Sequence, residues 1–460
     1  MTQTPFSSLA LNPDMLANLE SLGYAHMTPV QAETLPVVLA GQDLIAKAKT
    51  GSGKTAAFGI GLLTRLDTQD YHVQALVLCP TRELADQVGK ELRRLARMTP
   101  NIKLVTLCGG APYGPQVTSL QHHAHIVVGT PGRILKHLHK GTLKLDTVRM
   151  LVLDEADRML DMGFSDDMTA IIAMTPATRQ TLLFSATYPD TIRQMSAEVQ
   201  REPVEVSVCD DEPHADIQQV FYEFDKGERS KTLKAVLNHY RPTSCLIFCN
   251  MKQQCDELAT ELREQGFYAR ALHGDLEQKD RDRVLAQFTN KSTAILIATD
   301  VAARGLDIKD LDMVINYQLA HDPEIHVHRV GRTGRAGQQG LAISLFMPAE
   351  AHKVTAIEDY QGQRVTIQPR SHLVEKKVAS LKPPMVTLCL HAGRKDKLRP
   401  GDILGALTQD AGLPARQIGN INIFDTVSYI AVERSAARAA LQHFSEGKIK
   451  GRKFRARKVS

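Results

Sequence analysis

No apolar run in this 460-residue sequence approaches the roughly 20 residues needed to cross a bilayer, so a helical membrane protein is not expected. Met1 to Leu9 lacks a basic stretch followed by an apolar one, so no secretory leader is expected either. Seven cysteines occur, an odd number, and none form a CxxC pair. Cys79 and Cys245 lie in apolar runs, where a small thiol packs as a hydrophobe. Cys245, Cys249 and Cys255 stand close in sequence, but the absence of a histidine cluster argues against zinc. Together these point to a reducing, cytoplasmic setting. No coiled-coil pattern or hydrophobic tail indicates an obligate protein partner.

Hydrophobic residues make up 43% of the chain, enough for buried cores, and the length allows about three domains of roughly 150 residues. Charge is unevenly spread. Residues 385–460 hold 14 Lys/Arg and 6 Asp/Glu, a net +8 within a chain whose total is only +5. A near-neutral body with a basic tail points to a polyanionic partner for the tail, against the plainer reading of a solvated basic surface.

Short apolar runs alternate with helical stretches through the first two-thirds of the chain. Ala75–Cys79, Leu104–Leu107, Ile126–Val128 and Thr181–Phe184 each precede a polar or glycine-containing turn. This is the βαβα rhythm of a parallel sheet covered by helices. A second series follows, with Cys245–Phe248, Ala294–Ile297, Met313–Ile315 and Leu341–Leu345 as its strands. The boundaries expected are 1–207 for the first lobe, 208–215 for a linker, 216–366 for the second lobe and 367–384 for another linker. Residues 385–460 read as βαββαβ, the order of an α+β ferredoxin-like or RRM-like domain.

Two motifs in the first lobe carry chemistry. Thr50, Gly51, Ser52 and Gly53 form a glycine turn before Lys54-Thr55, after the strand-like Asp43–Ala46. Such a turn aims backbone N–H groups at phosphates, while Lys54 reaches the outer phosphates and Thr55 ligates Mg²⁺. About a hundred residues on, the apolar run Met150–Leu153 ends in Asp154-Glu155-Ala156-Asp157. Three carboxylates at a strand end are costly unless a cation lies there. Asp154 is the expected Mg²⁺ holder, largely through water, and Glu155 the group that polarises the attacking water. Asp157 is expected to bond the loop Ser185-Ala186-Thr187. A cation for the transition-state charge is missing from this lobe. Arg332 and Arg335, three apart in His328–Arg335, are expected on one helical face of the second lobe as arginine fingers, or else as a basic surface helix.

These stretches, taken in order, resemble the DEAD-box RNA helicases over residues 1 to about 365. The resemblance implies two RecA-like lobes, ATP and Mg²⁺ as cofactors, and RNA as partner. Gly23–Gln31 with Phe6 upstream resembles the adenine-reading motif of that family, which implies that Gln31 contacts the adenine edge and Phe6 packs on its ring. Pro80, Thr81, Arg82, Gly110, Thr130, Gly132 and Arg133 fall in stretches similar to its first-lobe RNA-contacting motifs, and Gly274 and Thr299 in second-lobe ones. Asp307 matches the residue that meets the ribose. Asp157, Ser185 and Thr187 match the segment that couples hydrolysis to strand separation. Hydroxyls, backbone donors and an occasional Arg grip phosphates and 2′-hydroxyls and read no base edges, so the core is expected to bind RNA without sequence preference. An ATP-gated RNA clamp and a DNA translocase are the alternatives.

A core of this type followed by a basic βαββαβ tail resembles the bacterial DbpA subgroup. That implies a tail directed at structured large-subunit (23S) ribosomal RNA and a part in large-subunit assembly. The tail lacks the aromatic-rich run of an ordinary RNA-recognition motif, which argues against paired-ring base stacking. Tyr429 either stacks on a base or is a plain sheet residue. Arg394, Lys395, Lys397 and Arg399 form one expected RNA-contacting cluster, and Lys448, Lys450, Arg452 and Lys453 another.

Overall fold

The computed structural model describes residues 4–48, 52–188, 190–208, 217–303, 311–334, 339–373 and 382–459, in two compact units that divide between residues 211 and 212. The first unit is built on β1 (Leu44–Lys47), β2 (Ala75–Leu78), β3 (Leu104–Leu107), β4 (Ile126–Gly129), β5 (Met150–Asp154), β6 (Gln180–Ser185) and β7 (Val204–Ser207). They form one parallel sheet in the order β3-β4-β2-β5-β6-β1-β7. The period-2 alternation of strand side chains divides the core into two layers. Val77, Val152, Leu182 and Phe184 pack on one face, and Leu76, Leu78, Leu151 and Leu183 on the other. With both faces covered by helices, the central strands are continuously apolar.

The second unit begins with β8 (Ile217–Glu223), β9 (Cys245–Phe248), β10 (Ala269–Leu272), β11 (Ile295–Ala298), β12 (Met313–Asn316), β13 (Gly340–Phe346) and β14 (Thr366–Gln368). Their order is β10-β11-β9-β12-β13-β8-β14, again all parallel. Counted from its own first strand, this sheet has the wiring of the first. The apolar runs in the sequence mark a second series but neither the identical order nor the strands β7, β8, β10 and β14. Three of these are sheet edges, where polar residues interrupt the apolar run. β14 corrects the second linker: Thr366–Gln368 pairs with β8 and Leu373 is buried in the core, so the lobe extends at least to Leu373. The first expected linker falls almost wholly outside the described residues.

The same unit ends in an antiparallel four-stranded sheet of β15 (Met385–Leu390), β16 (Ile418–Ile423), β17 (Ser428–Glu433) and β18 (Ala456–Lys458), ordered β16-β17-β15-β18. The helices Pro400–Gly405 and Ala437–Glu446 fill one of its faces with Ile403, Ala440 and Phe444 against Val386, Leu388 and Leu390. The opposite face meets the helix Gln278–Thr289 of the preceding lobe. There Ala286 packs with Cys389, Tyr429 and Val459. Thr387 Oγ1 accepts a hydrogen bond from Asn290 Nδ2 at 3.3 Å and lies 2.6 Å from Ser292 Oγ. Asn420 Nδ2 donates to the Thr289 carbonyl at 3.1 Å.

Candidate nucleotide and nucleic-acid site

Loops at the carboxyl ends of parallel strands line one edge of a sheet, where α/β folds bind ligands. In the first lobe this edge is divided by strand order. The glycine loop follows β1, the carboxylate tetrad ends β5, and Ser185-Ala186-Thr187 ends β6. These strands are adjacent as β5-β6-β1. Pro80-Thr81-Arg82 follows β2, Gly109-Gly110 follows β3, and Thr130–Arg133 follows β4, on the adjacent strands β3-β4-β2. The phosphate-type motifs therefore occupy one half of the edge and the RNA-type motifs the other.

Lys49, Thr50 and Gly51 lie outside the described residues. Beyond them, Gly53 has φ +97°, a left-handed conformation that suits glycine, and the helix Lys54–Thr64 starts at once. Thr55 is in its first turn, where the helix N-terminus favours anions. Lys54 is buried, and its Nζ donates to the Ala48 carbonyl at 2.8 Å. The helix Pro29–Ala40 grips the loop from the side. Thr28 Oγ1 donates to Ser52 O at 2.8 Å and Gln31 Nε2 to Gly53 O at 3.2 Å. Gln31 Oε1 accepts from Thr28 N at 2.9 Å in a capping box. Both ends of the Gln31 amide are thus engaged with the chain itself. Phe6 corrects an expectation. It is 3% exposed and meets the Tyr24 ring edge-on at 6.2 Å, because Met27 N bonds Thr4 O at 2.8 Å and draws the N-terminal strap inward. In this structure its ring is a core element and presents no open face.

Asp154, Glu155 and Asp157 are all buried. Burial raises the Asp154 carboxyl to about 7, with Lys54 pulling it down and Glu155 and Asp157 pushing it further up. Glu155 is left-handed, at φ +54°, as the chain turns from strand to helix. Its carboxylate lies 3.2 Å from Arg158 Nη1, a partner that sequence reading did not single out. Asp157 Oδ2 accepts from Thr187 N at 3.1 Å and from Thr187 Oγ1 at 3.0 Å. Ser185 is buried, and its carbonyl accepts from Ala48 N at 3.0 Å. The tetrad, the β6 loop and the base of the glycine loop are therefore directly bonded. Among the described residues no group of three or more His, Cys, Asp or Glu forms a metal cage.

On the other half of the edge, Pro80 and Thr81 are buried, and Thr81 Oγ1 accepts from Leu84 N at 3.3 Å as the cap of the helix Arg82–Leu95. Gly110 has φ +70°, and a Cβ there would collide with the Arg82 guanidinium. Thr130 caps the helix Pro131–His139, Gly132 is exposed, and Arg133 Nη1 donates to Ala111 O at 3.0 Å.

In the second unit Gly274 is exposed after β10, and Thr299 is buried after β11. The helix Pro323–Val330 stops before Arg332, so Arg332 does not lie on its face as expected. Gly331 caps the helix, Arg332 is 6% exposed in the turn beyond, and Arg335 and Asp307 lie outside the described residues. The residue that sequence reading passed over is Arg329. It is 2% exposed, forms a bidentate pair with Asp300 (both contacts 2.7 Å), and donates to Asn250 Oδ1 at 2.9 Å and Gln318 O at 2.7 Å. These partners follow β9, β11 and β12, so one guanidinium ties three strand ends together. Its only signal in the sequence was an arginine within a run already read for other arginines.

In the tail, Tyr429 is 6% exposed against Ala286 and Phe424, so it is a sheet residue in this docked arrangement and presents no free ring for a base. The two basic clusters meet in space. Lys450 Nζ bonds Asp402 at 2.8 Å and the Lys397 carbonyl at 3.2 Å, and Arg452 lies 3.6 Å from Asp396. Arg394 pairs with Asp425 at 3.1 Å. Lys395, Lys397, Arg399, Lys448 and Lys453 are exposed around this junction.

A family model described as DEAD/DEAH box helicase matches residues 28–195, and one described as helicase conserved C-terminal domain matches residues 228–337. The yeast S. cerevisiae Dbp5 bound to RNA and ADP BeF3 matches the structure with a TM-score of 0.72 at 31% identity, over 80% of this chain and 96% of that one. The fold and the divided strand edge are those of a DEAD-box helicase, an ATP-dependent RNA helicase class. A third model, described as DbpA RNA binding domain, matches residues 387–458. The chain is 52% identical to the ATP-dependent RNA helicase DbpA of Escherichia coli (strain K12) and 36% identical to that of Bacillus subtilis (strain 168), each across 99% of both chains. It belongs to the DbpA type of that family.

Proposed function

We propose that this enzyme separates short RNA duplexes locally and non-processively, with ATP hydrolysis stimulated by RNA, and that its tail directs it to structured large-subunit (23S) ribosomal RNA during assembly of that subunit in the cytoplasm. The observation that carries the coupling is the bonded chain from the glycine loop through Ser185 O to the Asp157–Thr187 pair. It links the nucleotide half of the edge to a loop matched to strand separation. In this reading Lys54 neutralises the outer phosphates, Glu155 orients the attacking water, and Arg332 and Arg335 supply cationic charge when the lobes close.

Mg²⁺ suits the residues present. Burial, with Glu155 and Asp157 nearby, raises the Asp154 carboxyl, and a divalent ion beside it would favour the ionised form. With no all-protein cage among the described residues, the ion would be held by Asp154 through water, by Thr55 and by the nucleotide's own oxygens, as is usual for Mg²⁺. It would offset the charge of the phosphates; the chain's own groups orient and exclude water.

The tail reading rests on the exposed cationic surface where the two basic clusters join. The similarity to the E. coli and B. subtilis relatives covers 99% of each chain, the tail included. The test is ATP turnover without RNA, with ribosomal RNA and with an unrelated structured RNA. Stimulation strongest with ribosomal RNA is expected. Equal stimulation by both RNAs overturns the targeting, and no stimulation by either overturns the RNA-coupled cycle.

A further inference from the structure

Behind the RNA half of the first-lobe edge lies a buried polar group that nothing so far explains. Gln116, in the helix Tyr113–Gln121, is 8% exposed. Its Nε2 donates to the Cys108 carbonyl at 3.0 Å, at the start of the Gly109-Gly110 turn. Its Oε1 accepts from Arg133 Nη1 at 2.9 Å and lies 3.1 Å from His137 Nε2. Only one orientation of the amide satisfies both sides, since Cys108 offers a lone acceptor and Arg133 only donors. The orientation also decides the histidine. Nε2 must carry the proton that Oε1 receives, which leaves Nδ1 an acceptor 2.8 Å from Thr142 Oγ1, a hydroxyl that also lies 3.1 Å from the His137 carbonyl. The Tyr113 hydroxyl lies 2.9 Å from the same Thr142 oxygen, and its ring stacks on His137 at 4.4 Å. Burial, together with Arg133 and Lys136, lowers His137 to about 4, so it is neutral at physiological pH.

We infer that Gln116 is a positioning residue for RNA binding, one that locks the Arg133 guanidinium to the Gly109-Gly110 turn so that both meet the RNA backbone in a single register. Arg133 donates through Nη1 to both Gln116 and Ala111 O, which pins one edge of the guanidinium and leaves its remaining donors for phosphate. The Gln116 anchor joins the ends of β3 and β4, which are neighbours in the sheet. A long side chain held this way loses little rotamer freedom when RNA arrives. The inference rests on the reading that Arg133 contacts RNA, so the experiment separates the two.

Equilibrium binding of a labelled single-stranded oligouridylate to the full chain, with ADP and beryllium fluoride, is measured across a salt series. Arg133→Ala should weaken binding about tenfold and reduce the salt slope by about one, the signature of a lost phosphate contact. Gln116→Leu should reproduce both changes, leave kcat at saturating RNA unaltered, and add nothing on top of Arg133→Ala. Gln116→Glu keeps the acceptor for Arg133 and His137 but loses the donor to the Cys108 carbonyl, so it should weaken binding by less than Arg133→Ala, with its salt slope intact. A merely structural role would lower the active fraction of protein without changing the slope. If Arg133→Ala changes both quantities while Gln116→Leu changes neither, the positioning role is wrong. If Gln116→Leu folds poorly, Gln116→Glu still decides, because parental affinity with the bond to the Cys108 carbonyl broken overturns the inference. If Arg133→Ala changes neither quantity, the RNA reading of Arg133 fails, and the inference with it.

Discussion

Arg329 and Asp300 form a two-pronged ion pair, both contacts 2.7 Å, around a guanidinium that is 2% exposed. Arg329→Met leaves Asp300 without its cation and Asn250 and the Gln318 carbonyl without their donor. Breaking such a buried pair costs on the order of 3 kcal/mol. Thermal unfolding of the full chain should show the second unit melting well below its normal midpoint, with the first-unit transition unmoved.

Glu155 sits beside Arg158 in a turn that holds its carboxylate at the strand end. Glu155→Gln keeps the shape and removes the charge. ATP and RNA should both still bind, measured by equilibrium titration, while turnover falls to near background. Unchanged turnover would remove Glu155 from its assigned role.

The Asp157–Thr187 pair joins the tetrad to the β6 loop through two hydrogen bonds. Thr187→Val removes the side-chain bond and keeps the backbone one. RNA-stimulated ATPase should stay within about fivefold, since one such bond contributes about 1 kcal/mol. Strand separation should fall further than hydrolysis in a paired assay of both activities.

His137 is neutral in the fold, with its ionisation lowered to about 4 from an ordinary value near 6.5. The unfolded chain therefore binds more protons between these values. The contribution of His137 to first-unit stability should be greatest above about pH 6.5, fall as the pH is lowered towards about 4 and then level off, while Asp154, raised to about 7, contributes a slope of opposite sign. His137→Phe, which keeps an aromatic face for Tyr113, should flatten that slope in denaturant titrations at several pH values.

Tyr429 packs on Ala286, whereas Lys395 and Lys453 are exposed. Tyr429→Phe should leave affinity for structured RNA unaltered. Lys395→Glu and Lys453→Glu should each weaken it and lower the salt slope by about one or more, read from binding isotherms at several salt concentrations.

The nucleotide motifs were legible because phosphate chemistry demands particular residues at short spacing. Lys54 must follow a glycine turn, and the carboxylates must end a buried strand. The tail's βαββαβ order was legible because its strands are apolar on alternate or successive positions between turn residues. The edge strands β7, β10 and β14 were not, since an edge needs no continuous apolar run. Arg332 was assigned a helical face because spacing alone cannot say where a helix stops, and here it stops at Val330. The surroundings of Phe6 and the choice between the two readings of Tyr429 are not legible, because an aromatic side chain looks the same in sequence whether it stacks on a base or on a neighbour.

Local chemistry is written along the chain: which loop carries the glycine pattern suited to phosphate, where the carboxylates cluster, and that the last domain is basic. Proximity between distant segments is not, because it depends on strand order and on which helix covers which face. Strand order in the first sheet separated the nucleotide loops from the RNA loops while Asp157 and Thr187 bridged 30 residues of sequence. Packing decided that Arg329 is a structural tie, that Gln116 holds Arg133, and that the tail's sheet meets a helix of the preceding lobe. A buried polar group must find partners, and only the folded chain supplies them.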